Sequence, residues 1–274
     1  MIGRQERQQL WLNAGFYAVG GLGLLAFCWP FFASFVSISH GGLVTIAAAV
    51  AVGVAIALLF LSASELRDPR TIALVGVLAA LAAAARMFSV GAGGIEFIFV
   101  VVIIAGRVLG PRAGFTVGAL GLLVSSLMWG GFGPWTPFQM LAVGWVGAGA
   151  GVLMPRTFQV GPRIELAILA GYGAIASYLF GALMNLWFWP LAIGSGTSLS
   201  LVAGDGVGEN VARFVLYSLA TSTLTWDTVR AITTVVTLTL VGTAALKALR
   251  RVVPEERLDR EVLGLRVVEH ERVG

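Results

Sequence analysis

Residues 93–151 read GGIEFIFVVVIIAGRVLGPRAGFTVGALGLLVSSLMWGGFGPWTPFQMLAVGWVGAGAG. Three apolar runs lie here, at about 93–107, 113–130 and 137–154. The first two are joined by a basic turn, GRVLGPR. The last two are joined by an uncharged Gly/Pro/Trp stretch, WGGFGPWTPFQM (129–140). Runs of this length are close to what a helix needs to cross a hydrocarbon core. Working outward in both directions gives further runs at 14–35, 43–63, 71–89, 164–189 and 227–247, so the sequence predicts an all-α polytopic membrane protein with about eight transmembrane helices. The fourth run, 93–107, is short and carries Glu96; it is expected to tilt or to sit partly off the lipid.

Composition agrees. Of 274 residues, 58% are hydrophobic and 12% charged, against roughly 25% charged in a soluble domain. That excludes a disordered chain and leaves too few charges to coat a soluble globule. With the N-terminus placed in the cytoplasm, 15 of the 18 basic residues fall on inner segments, and only Arg86, Arg213 and Arg230 lie elsewhere. The outer loops 36–42, 90–92 and 131–136 hold no Lys or Arg. This positive-inside pattern predicts a multi-pass plasma-membrane protein with both termini inside. The net charge of +4 is thus a topology signal and implies no nucleic-acid partner.

Several chemistries are absent. No G-x-x-x-x-G-K-[ST] loop is present, and GDGVGEN (204–210) follows no βαβ pattern. A single cysteine, Cys28, and two histidines, His40 in an outer loop and His270 in the tail, offer no metal cluster or Ser–His pair. The expectation is therefore no enzyme, no cofactor and no metal.

Polar and aromatic residues gather at the outer ends of the later helices. Arg86 and Glu96 flank the loop MFSVGAGG (87–94); ionisable groups at such depth face a partner, a cavity or each other. Trp129, Phe132, Trp135 and Gln139 crowd the 129–140 loop, where aromatic walls with a few polar groups suit a small molecule. Asn185 and Trp189 end the seventh run; Glu209, Asn210 and Trp226 follow. Residues 190–225 read as a long outer connection, with a short helix at 209–221 that is either interfacial or the first half of a broken last helix. The third run holds Ala79/Ala83 and Ala80/Ala84, a smooth face able to dock internally or against another helix.

The segment ALVGVLAALAAAARMF (73–88), followed by residues 93–151 with their G-x-x-x-G-P-[RK]-x-G turn (106–114), resembles the substrate-binding (S) components of energy-coupling factor (ECF) transporters, the cobalamin-type members above all. The resemblance covers about two thirds of the chain. It implies a six-helix bundle that captures a vitamin or similar solute from outside. It also implies a transmembrane coupling protein, carried by two cytoplasmic ATPases, docking on Ala79, Ala80, Ala83 and Ala84. The domain reading that follows is a basic segment and two-helix appendage at 1–66, a substrate-binding domain at 67–250 and a charged cytoplasmic tail at 251–274. Two other readings stay open: an autonomous secondary transporter, disfavoured because no repeat or midplane charge is evident, and a structural or enzymatic membrane protein using the 190–225 loop.

Overall fold

An apolar run in lipid must satisfy its own backbone, which leaves the helix as the available form. A computed structural model describes residues 4–32, 40–63, 68–89, 93–129 and 131–253. These form α1 (Arg4–Phe27), α2 (Trp29–Phe32), α3 (His40–Ala63), α4 (Pro69–Ser89), α5 (Ile98–Leu109), α6 (Pro111–Trp129), α7 (Thr136–Leu153), α8 (Pro162–Ile193), α9 (Val207–Ser218), a π-helical segment (Leu219–Asp227) and α10 (Thr228–Val252). Seven described helices are long and apolar enough to cross a membrane.

The expected fourth span is the exception. α5 has 12 residues, roughly 18 Å of helix, and all but Val101 are buried. It is a core helix, enclosed by α4, α6, α7, α8 and α10. Close approach is possible because glycines line the contacts. A methyl on Gly114 would lie 2.6 Å from the Gly147 carbonyl oxygen, and one on Gly151 would lie 2.6 Å from the Pro111 nitrogen. The G-x-x-x-G pairs thus serve packing within the bundle. Gly110 alone joins α5 to α6: its φ of +90° is one that only glycine adopts easily, and Pro111 then starts α6 where a missing N–H costs nothing.

The expected 190–225 loop is also shorter than its sequence suggested. α8 continues through Pro190 to Ile193, and only 194–206 is a connection. From Val207 the chain is one continuous helix of 46 residues. Its middle is π-helical at LATSTLTWD, where hydroxyls bond back to carbonyls, Thr221 to Tyr217 (2.8 Å) and Thr228 to Thr223 (2.8 Å). The apolar residues Val211, Val215 and Leu219 of this helix are exposed, while Asn210 and Tyr217 turn inward.

The end of α5, the start of α8 and the end of α10 meet at a basic end through Arg107, Glu165 and Arg250. The ends of α4 and α6 meet at the opposite, aromatic end through Arg86 and Ser125. The basic end brings together Asn13, Leu61 and Arg112, whose guanidinium donates to Asn13 Oδ1 (2.7 Å) and lies 5.8 Å from the Phe16 ring. α1 and α3 pack on each other; α3 lies against α6 and α7, and α1 and α2 lie against α8. Residues 64–67, where the 66/67 domain boundary was expected, and the tail from 254 onward fall outside the described residues.

Candidate functional site

At the aromatic end, α4 delivers Arg86 in its last turn, and the connection after it delivers Glu96 just ahead of α5. They do not pair with each other. Arg86 donates to the Ser125 hydroxyl on α6 (3.2 Å). Glu96 Oε1 is buried and has no hydrogen-bond partner. Burial pushes the Glu96 carboxyl above the ordinary carboxylate range, against the opposing pull of the Arg230 and Arg86 charges. Gly94, with φ of +93°, lets this connection reach the π segment: a methyl there would lie 2.6 Å from the Trp226 carbonyl oxygen.

At the same end of their helices, α6 and α7 carry Ser126 Oγ and Gln139 Oε1, both buried without a partner, and α8 carries the buried, unpartnered Trp187 Nε1. The Trp187 ring stacks on Phe138 with centroids 4.7 Å apart. Trp129, Phe132, Trp135 and Trp226 are exposed aromatic side chains at this end. The Trp135 indole N–H closes its own loop by donating to the Gly131 carbonyl (2.9 Å).

Other expected site residues are placed differently. Trp189 is fully buried, with its N–H donated to the Leu199 carbonyl (2.8 Å). Asn210 is turned onto the Val202 backbone, accepting from its N–H (3.0 Å) and donating to its carbonyl (2.9 Å). Glu209 is exposed. Asn185 donates to Ser218 (2.8 Å) and Ser222 (2.6 Å), and Ser222 donates to Asp227 Oδ2 (3.0 Å). Asp227 in turn accepts from Arg230 (2.7 Å), whose guanidinium lies 4.8 Å from the Phe180 ring. Gly181 leaves room for the Asp227 carboxylate, which a methyl there would overlap. Asn185 therefore belongs to a network spanning α8, the π segment and α10, in which Arg230 Nε alone of the named groups is buried without a partner.

The four alanines divide between two faces. Ala79 and Ala83 are buried against α6, where Gly121 meets Ala82 and the Ala79 carbonyl. Ala80 and Ala84 remain exposed, in line with exposed Ala73 and Gly76.

An ion cluster outside the candidate residues sits at the basic end. Glu165 on α8 accepts from Arg107 of α5 (2.6 Å) and from Arg250 of α10. Arg107 also donates to the carbonyls of Met154, Pro155 and Phe158. The available signal was a single acid set among arginines near the start of an apolar run.

Residues 70–249 match a family model described as ECF transporter, substrate-specific component. The chain belongs to this family. The match covers about two thirds of the sequence and leaves α1, α2 and α3 outside it. No curated protein and no solved structure matches the chain. Members of the family are transport subunits rather than enzymes, and with seven helices among the described residues long and apolar enough to cross a membrane, this substrate-specific component is a multi-pass membrane protein.

Proposed function

We propose that this substrate-specific component captures a vitamin or related small solute at its aromatic end, which faces the outside. Transfer across the bilayer then depends on a transmembrane coupling protein carried by two cytoplasmic ATPases. The N- and C-termini face the cytoplasm, in keeping with the basic residues at the opposite end. Residues 67–250 form the capture domain, with 1–66 appended to it and 251–274 as a tail.

One observation carries the reading. Glu96, Ser126, Gln139 and Trp187, from four separate elements, each hold a buried polar atom with no protein partner at the same end of the bundle. Each such atom costs about 1–3 kcal/mol. Polar groups left without partners at one end of a bundle, with exposed aromatic side chains at that same end, suit a small-molecule site. Arg86, Glu96 and Gln139 are its polar contacts, and Trp129, Phe132, Trp135 and Trp226 its rim. A cobalamin-like solute is the favoured candidate on the sequence pattern. Mass spectrometry of small molecules released from the purified protein tests this. A corrinoid supports both parts, a different vitamin overturns only the cobalamin assignment, and lipid and detergent alone overturn capture.

The coupling protein docks on the exposed Ala73–Gly76–Ala80–Ala84 strip of α4, where small residues let a partner helix approach closely. Ala80→Trp should abolish uptake and co-purification with the coupling protein, while unfolding stability stays within about 0.5 kcal/mol of wild type. Ala83→Trp instead overpacks the contact with α6 and should destabilise the protein by about 1–3 kcal/mol or more. Normal assembly in the Ala80→Trp protein would exclude this face.

A further inference from the structure

Helices α1 and α2 lie outside the family match, yet their junction makes specific contacts with the aromatic end of α8. Trp29 is buried and its indole N–H donates to the main-chain carbonyl of Trp187 (2.8 Å). Phe27 meets the Phe138 ring edge-on at 5.0 Å, and Phe138 stacks on Trp187. Phe31 lies 6.4 Å from the ring of Trp189.

These contacts fall where α8 is weakest. Pro190 lies inside the helix; it has no N–H to offer the Leu186 carbonyl, and its ring crowds that turn. The turn beyond it, Leu191–Ile193, would be poorly held by α8 alone, and it carries the 194–206 connection. From the other side, Trp189 donates to the Leu199 carbonyl in that connection and packs on Phe214 (5.5 Å) and Tyr217 (6.5 Å) of α9. A line of rings thus runs from α2 through α8 to α9. α9 continues into the π segment, whose Ser222 joins Asn185 to Asp227.

We propose that the α1–α2 junction is a brace for this part of the molecule. Trp29 and Phe31 are positioning residues that hold the Pro190-weakened end of α8, the 194–206 connection and α9. Through them the appended helices set how long the solute is retained; this last part rests on the capture reading above. Simple space-filling would make different demands. It would need apolar volume at Trp29 but no hydrogen bond, and its loss would loosen the bundle evenly.

Hydrogen exchange of the full-length protein in lipid nanodiscs separates the two. Trp29→Phe keeps a ring and removes the N–H. Exchange should quicken about fivefold, one hydrogen bond's worth, at residues 191–206 and in α9, with α4 to α7 unchanged. Unchanged exchange at 191–206, or an even rise in every helix, overturns the brace. If Trp29→Phe does not fold, Phe31→Leu, which leaves the Trp29 bond intact, must quicken the same segment and no other. Trp11→Phe, at an exposed position on α1, serves as control. Solute still bound after timed washing, measured by mass spectrometry, should fall in the same variant. Faster exchange with unchanged solute loss overturns the role in retention. If the wild type releases no solute, the capture reading fails, and the exchange data alone then uphold or overturn the brace.

Discussion

At the basic end, Glu165 takes hydrogen bonds from two arginines, and Arg107 gives three further N–H groups to carbonyls. At the aromatic end, Glu96 has a buried oxygen with no partner, and Arg86 reaches only a neutral hydroxyl. Each end therefore buries a carboxylate oxygen, of Glu165 and of the half-buried Glu96, but one completes the pairing within the chain and the other does not. A buried charge with all its partners resists separation of the helices that supply them; here α5, α8 and α10 are tied together. A buried charge without partners costs stability, and proteins keep such groups chiefly where a ligand or mechanism uses them. Between these extremes sits Asp227, at the aromatic end yet fully paired with Arg230 and Ser222.

The contrast is open to direct attack, beginning where the largest effect is expected. Glu165→Ala leaves Arg107 buried with no acid beside it and should cost about 3–5 kcal/mol in thermal or denaturant unfolding. A loss below about 1 kcal/mol would mean that the basic end is not a clamp. Gly181→Ala drives a methyl into the Asp227 carboxylate and should cost about 2 kcal/mol by overpacking and a broken pair. It should also raise hydrogen exchange in the π segment, whose Ser222 loses its acceptor.

Glu96→Gln should act in the opposite direction. Replacing an unpaired buried acid with a neutral amide should stabilise the protein by about 1 kcal/mol at neutral pH, while weakening solute retention. The pH dependence gives a second measure. With its pKa raised in the folded state, Glu96 holds its proton more tightly when folded than when unfolded. Stability should therefore decline as pH rises from the ordinary carboxylate range through the raised value. Glu96→Gln should flatten that slope, and an unaltered slope would assign it to another group.

How much of this was legible in the chain depends on the residue. A turn within 106–114 and the separation of basic from aromatic ends follow from local composition; that the turn is Gly110 alone, with α6 starting at Pro111, came from the structure. Glu96 and Gln139 stood out as polar residues beside apolar runs, and both have buried, unpartnered oxygens. Trp189 and Asn210 stood out equally, yet each is closed on a nearby backbone carbonyl. The difference arises from loop geometry that residue type does not encode. The split between Ala79/Ala83 and Ala80/Ala84 was hidden for another reason. In a helix that is apolar all round, periodicity cannot distinguish a face that packs on protein from one that meets lipid.

Although it misplaced the first span and the start of the last, the sequence by itself determined that the chain spans a membrane, where its middle helices from α3 to α7 lie to within about five residues, and which end is basic. Those properties depend on hydrophobicity, charge and turn chemistry summed over neighbouring residues. Only the tertiary structure decided that α5 is enclosed, that residues 207–252 form one helix with a π segment, and that Glu165 joins Arg107 to Arg250. Those depend on which distant residues meet. Partners 58 and 85 positions apart in the chain carry no local signal of their pairing, because the energy that selects them exists only after the helices have packed.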